Sequence, residues 1–195
     1  SKKYGKTLYI QLNDGNTAVY AHLGKFYPAL NEIANIIKKD YNNQIIEHYF
    51  KKQELMVKKG TIIGYTGDTG TISGPHLHFE IRDKNNISIN PLINFYKIED
   101  SLYPIPKKIA IIPKNKNTKI DGFSDIMFYD LVKNSDSEYY ISDTIAVLDE
   151  FGIALNIIDR IDKQPFNYGL YKIQLYIDGE MKYKIEYNEY DFLNG

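Results

Sequence analysis

The sequence predicts a mainly β protein: an antiparallel sheet domain with one short inserted helix, followed by a small β-sandwich. Three features carry this expectation. His76, His78 and Glu80 alternate with Leu77, Phe79 and Ile81, the period of a strand with one polar and one apolar face. Gly60, Gly64, Gly67 and Gly70 interrupt short apolar runs, as tight turns and close backbone approaches require. Leu170–Ile177 and Glu180–Tyr187 flank Asp178-Gly179, the signature of a two-residue hairpin.

Taken in order, residues 4–23 read as a hairpin. Tyr4 to Tyr9 is one strand, Asn13-Asp14-Gly15-Asn16 the turn, and Thr17–Leu23 an alternating return strand that places Ala18, Tyr20 and His22 on one side. After Pro28, Leu30, Ile33, Ala34 and Ile37 recur at helical spacing, so Asn31–Lys39 is predicted as a short amphipathic helix. Asn43–Phe50 is expected as a strand, and the inserted segment as one wall of a cleft. Residues 57–65 and 76–82 return to the sheet. Gly74-Pro75 fixes the start of the last strand, because the residue before a proline is held extended.

The prolines at 104 and 106 mark 98–108 as a linker, dividing a first domain (1–97) from a second (109–195). In the second, Lys108–Ile112, Asp125–Val132, Thr144–Leu148 and Gly152–Ile158 are rich in β-branched or aromatic residues. Tyr171, Ile173, Leu175 and Ile177 form one face of the hairpin strand that follows. Strands at this spacing predict a β-sandwich. Its aspartates (Asp143, Asp149, Asp159, Asp162) lack calcium-loop spacing, and a packing or interaction role is expected of it.

Composition narrows the function. A chain of 195 residues allows one large or two small domains. A net charge of −1 gives no electrostatic pull toward nucleic acid or an anionic membrane. With no cysteine, disulfides, thiolate metal sites and thiol catalysis are excluded. No signal peptide or apolar run long enough to span a bilayer is present in these residues. The chemistry therefore rests on the histidines. A strand repeat separates His76 and His78 by roughly 6–7 Å between alpha carbons, suited to one metal ligand beside one acid–base group.

Five ordered segments extend the pattern: Tyr-Ala-His-Leu (20–23), Val-Lys-Lys-Gly-x-x-Ile-Gly (57–64), Gly-Asp-Thr-Gly (67–70), Gly-Pro-His-Leu-His-Phe-Glu-Ile-Arg (74–82) and Asn-Pro-Leu (90–92). Together they resemble the M23 (lysostaphin/LytM-type) zinc metallopeptidases, over about residues 4–97. The resemblance implies an antiparallel groove-forming β-sheet. It also implies a cell-envelope endopeptidase, periplasmic or extracellular, that hydrolyses peptide bonds of peptidoglycan. It makes His78 a zinc ligand and His22 and His76 catalytic residues. His48 matches no family segment and reads as an ordinary residue. The Val-Lys-Lys-Gly run also resembles biotinyl and lipoyl carriers, but no lysine-bearing turn follows it.

The family's other two zinc ligands come from an upstream H-x-x-x-D, whereas residues 1–21 contain no histidine. A catalytic zinc needs about three protein ligands and an open position. One imidazole does not make such a site, so the chain as given is expected to bind zinc weakly or not at all. Two readings follow. In the first, the chain is a fragment whose remaining ligands lie before Ser1; its start inside the sheet and the hairpin-like Asn194-Gly195 at its end are read as marks of incompleteness. In the second, it is a degenerate, metal-free module that binds the cell wall or regulates a wall amidase. The presence of all three family-matching histidines favours the first.

Overall fold

The structure is a computed structural model that describes all residues except 1–2, 41–46, 72–73 and 192–195. The described residues are mainly β, with antiparallel pairing throughout. The chain divides into two compact units, residues 1–96 with 188–195 and residues 97–187.

In the first unit, β1 (Lys6–Gln11) and β2 (Thr17–Phe26) form the predicted hairpin, with Leu8 opposite Tyr20 and Gln11 opposite Thr17. The Asp14 carboxylate accepts the Asn16 N–H at 2.9 Å, and Gly15 sits at φ 90°, the left-handed backbone that glycine adopts without strain. Helix α1 (Pro28–Asp40) begins at the proline, whose fixed φ and missing N–H suit a first turn. Leu30 is buried and Ile33, Ala34 and Ile37 are half-buried, so the apolar stripe faces inward as its spacing requires. Residues 47–50 carry no regular structure, and the rest of the strand expected over 43–50 lies outside the described residues.

The sheet continues through β3 (Gly64–Thr66), β4 (His78–Arg82) and β5 (Ser88–Ile89); α2 (Pro91–Asn94) follows, capped by the Asn90 side chain, which accepts the Leu92 N–H at 3.0 Å. Strand β2 is central. It pairs with β1 on one edge and β4 on the other, and its end pairs with β3. That position explains why Ala18, Val19, Ala21 and Leu23 are all buried, together with Ile81 of β4. Of the strand expected over 57–65 only Gly64 and Tyr65 are extended, in β3, because Lys59-Gly60 forms a turn and 61–63 carry no regular structure.

The second unit holds short sheets. Strand β6 (Ile105–Pro113) starts inside the stretch where the sequence places a linker, since Pro104 and Pro106 sit where a strand end tolerates a missing N–H. After it come β7 (Lys119–Ile120), β8 (Met127–Tyr129), β9 (Val132–Ser135), β10 (Glu138–Tyr140), β11 (Val147–Leu148), β12 (Phe151–Ile158), β13 (Lys172–Ile177) and β14 (Glu180–Glu186). β6 lies between β12 and β8, while β7 pairs β11, β9 pairs β10 and β13 pairs β14. The core is small: Ala110, Ile111, Thr118 and Ile120 are buried, and the Thr118 hydroxyl donates to the Glu150 carbonyl at 2.8 Å. The β13–β14 hairpin turns at Asp178 and Gly179, both at positive φ (52° and 80°), as the two-residue turn demands. Beyond β14 the chain rejoins the first unit, where β15 (Glu189–Tyr190) pairs with β5. No described helix is long and apolar enough to cross a membrane.

A pH effect follows from one turn of the second unit. Asp121, at φ 50°, accepts the Tyr129 hydroxyl at 2.6 Å and the Ala146 N–H at 2.8 Å, and these bonds hold its carboxyl below the usual range. A carboxylate with a depressed folded pKa stabilises above its unfolded value, about 3.9, and that stabilisation fades as pH falls through the folded value. The side chain is exposed, so the effect is small and weakened by salt. Denaturant midpoints for the β6–β8–β12 sheet should fall less between pH 5 and 3 in Asp121→Asn than in wild type; equal falls would show that Asp121 is not responsible.

Candidate active site

The three family-matching histidines converge. The His22 ring lies with its centroid 4.9 Å from that of His76 and 5.6 Å from that of His78, edge to face in both cases. Tyr4 completes the group, 5.0 Å from His78 and 6.4 Å from His22. His48 takes no part and meets Phe50 edge to face, with ring centroids 4.7 Å apart.

Each imidazole is delivered by a different local device. His78 opens β4 and is partly exposed, with a side-chain accessibility of 35%. His76 precedes the strand and is tied by one bridge to Gly67, just beyond β3, its N–H donating to the Gly67 carbonyl at 3.1 Å. The simple alternation expected over 76–82 therefore begins only at His78, and Leu77 is exposed instead of packing into the core. His22 sits at φ 59°, where β2 departs from regular pairing, and its N–H donates to the Tyr4 carbonyl at 2.9 Å. A non-glycine residue there is uncommon, histidine being among the more tolerant. The turn breaks the face shared with Ala18 and Tyr20, and His22 is buried.

Hydrogen bonds fix the tautomers. His22 Nδ1 lies 2.9 Å from the Thr69 carbonyl and His76 Nδ1 3.1 Å from the Gly74 carbonyl. A carbonyl only accepts, so each Nδ1 carries the proton in the neutral ring and Nε2 keeps the lone pair. At His78 the reverse holds: Nε2 meets Oε1 of Glu80, a carboxylate that likewise only accepts.

Thr69 is held in place to orient His22. Its hydroxyl donates to the Leu23 carbonyl at 2.8 Å and accepts the Lys6 N–H at 2.9 Å. The Gly-Asp-Thr-Gly segment can lie this close only because of its glycines. A Cβ on Gly70 would meet the Lys3 carbonyl oxygen at 2.4 Å, and one on Gly5 would meet the Thr69 backbone at 2.3 Å.

Behind His78 lies a buried charged pair. Glu80 Oε2 accepts from Arg82 Nε at 2.6 Å, and Oε1 accepts the Tyr4 hydroxyl at 2.8 Å. Arg82 also reaches Asn86 Oδ1 at 3.1 Å and lies near the rings of Tyr4 and Tyr9, 6.0 and 5.8 Å from their centroids. Burial alone would raise the Glu80 pKa; bonds from Arg82, His78 and Tyr4 outweigh it and hold the carboxyl below its ordinary value. Burial, then the bond to Glu80, push the Tyr4 phenol up to about 12, so it remains a donor. Among the described residues no buried side-chain nitrogen or oxygen lacks a partner. Tyr4, Thr69 and Arg82 escaped the sequence reading as site residues; the one signal for the pair was that Glu80 and Arg82 continue the face of His78.

A catalytic zinc would need about three donors around an open position. Among the described residues no three of His, Asp, Glu or Cys form a group able to hold a metal. The donors among the described residues thus do not fit a complete metal site.

Residues 35–91 match the family model described as Peptidase family M23, a span that contains His76 and His78 and stops short of His22. No curated protein and no solved structure matches the chain.

Proposed function

From the premise that residues 35–91 are an M23 peptidase segment, we propose that this chain carries the histidine side of a zinc endopeptidase site acting on peptidoglycan peptides in the cell envelope. The observation that carries the reading is the convergence of His22, His76 and His78 from separate places in the sequence, with His22 within 5.6 Å of both partners by ring centroid.

The roles follow from the nitrogens. His22 and His76 each keep a lone pair on Nε2, so each can accept a proton from an attacking water. The imidazolium so formed can return that proton to the leaving amine or stabilise the oxyanion of the tetrahedral intermediate. The carbonyls of Thr69 and Gly74 hold both rings in this sense, as the partner of a general base must. His78 supplies one metal ligand. With its remaining ligands supplied, a zinc ion held there would provide Lewis acidity toward a water and a carbonyl oxygen. The further ligands have to come from outside the described residues.

The test uses the natural full-length gene product. It should bind about one equivalent of zinc and digest muropeptides. His78→Ala should abolish both, while His22→Ala or His76→Ala should slow turnover by about 10²–10⁴-fold. A full-length protein that neither holds zinc nor cuts muropeptides would overturn the reading, leaving the metal-free module that binds the wall or regulates an amidase.

A further inference from the structure

The β13–β14 hairpin is a sheet of two strands, so among the described residues each strand keeps one open edge. The Tyr187 N–H donates to the Tyr171 carbonyl at 2.9 Å, and the opposed pairs Ile185–Ile173 and Tyr183–Leu175 follow at steps of two. An antiparallel ladder bonds every second pair, so Lys184 and Glu186, which lie between these, turn their backbone N–H and C=O groups outward. Residues 180–184 of that edge are exposed, and Tyr183 and Tyr187 are each 52% exposed.

An open edge is a template for another strand, and lysine on it ordinarily repels one. β14 departs from that device. Lys184 and Glu186 share a face, and Lys184 Nζ lies 2.5 Å from Glu186 Oε2. Of the described edge strands, only β14 carries both a cation and an anion; β1 and β13 carry lysine alone, and β12 no charge.

We infer that β14 is a self-pairing edge: a second copy of this chain adds its own β14 antiparallel, about a two-fold axis through Ile185. This interface is independent of the peptidase reading. In that register Lys184 lies opposite Glu186 of the second copy and Glu186 opposite its Lys184, while Tyr183 and Tyr187 face its Tyr187 and Tyr183. The four ions form a square of alternating sign, in which each keeps its partner along the strand and meets an opposite charge across it. A slip of two residues one way sets Lys184 against its own copy, and the other way Glu186 against its own. An odd slip sends the apolar side chains to the opposite face. Charge therefore selects a single register. The contact is isologous and closed, and its short length places it among weak, concentration-dependent interfaces.

Sedimentation equilibrium of the 195-residue chain over a concentration series reads the association. The mass should rise from monomer to dimer, and added salt should move the transition to higher concentration by screening exposed ions. Lys184→Glu or Glu186→Lys alone makes both symmetry-related pairs repulsive and should weaken association by about 10-fold or more. The double variant exchanges the signs around the square and should recover it. A cysteine reads the register without touching the charges, and the chain has none of its own. Residue 185 would meet its own copy as a non-hydrogen-bonded pair, with alpha carbons about 4.5 Å apart, within disulfide reach. Ile185→Cys should therefore oxidise to a covalent dimer, whereas Tyr183→Cys, displaced about 13 Å from its own copy by strand rise, should not. Should Ile185→Cys fail to fold, the charge reversals alone decide. A chain monomeric throughout, a dimer indifferent to the single reversals, a double variant that stays monomeric, or equal crosslinking at 183 and 185 overturns the inference.

Discussion

Replacing Glu80 with alanine should destabilise the first unit by about 3–5 kcal/mol, the loss expected when one partner of a buried ion pair is removed. Arg82 is only 8% exposed and Glu80 6%, so the guanidinium left behind can neither reach water easily nor lose its proton. Hydrogen bonds to Asn86 and Tyr4 would satisfy some of its donors but not its charge. The second half of the test is the double replacement Glu80→Leu with Arg82→Leu. Swapping a buried pair for apolar residues of similar volume is often neutral or stabilising, so the double variant should recover most of the loss. Native-state hydrogen exchange at the amides of β2 and β4 reports this unit directly. A loss below about 1 kcal/mol in the single variant would place the pair among solvated ones.

Gly67→Ala should cost about 3 kcal/mol, the upper part of the range for overpacking. A Cβ on Gly67 would lie 2.3 Å from both the Cα and the nitrogen of Gly24. Those are backbone atoms, so no rotamer change relieves the clash and β2 must move away from the segment after β3. The same residue accepts the His76 N–H at 3.1 Å, so the shift would pull His76 away from His22 as well. Gly15→Ala is the control. It has positive φ (90°) but nothing within 4 Å of the added carbon, leaving only backbone strain, of order 1 kcal/mol. Denaturant titration of both variants checks the ranking; equal losses would mean that close approach at Gly67 is not what the glycine serves.

The hairpin over 4–23, the helix after Pro28 and the turn at Asp178-Gly179 were legible because each rests on local chemistry, a turn sequence or a helical period, although the helix starts at Pro28 itself and not at Asn31. The clustering of His22 with His76 and His78 was legible only through the family resemblance. Nothing local to Tyr-Ala-His-Leu says that residue 22 takes φ 59° and interrupts the regular pairing of β2, where its N–H meets the Tyr4 carbonyl and its ring the 67–70 segment. The extent of β3 was overestimated for a related reason. Apolar residues at 57–63 look extended, but Gly60 serves a turn and its neighbours carry no regular structure. Long-range hydrogen bonds hid the Glu80–Arg82–Tyr4 network, since Tyr4 and Glu80 are 76 positions apart. Small pairings such as β5 with β15 depend on a return of the chain that no window of sequence could foretell.

The left-handed backbone at residue 22 has an evolutionary corollary. Asparagine or glycine would occupy that conformation with less strain than an imidazole does. Under the proposed peptidase function, drift toward a steadier scaffold and retention of an imidazole at residue 22 would press in opposite directions at one codon. On that proposal, the identity of the residue in any lineage would record whether selection still demanded turnover.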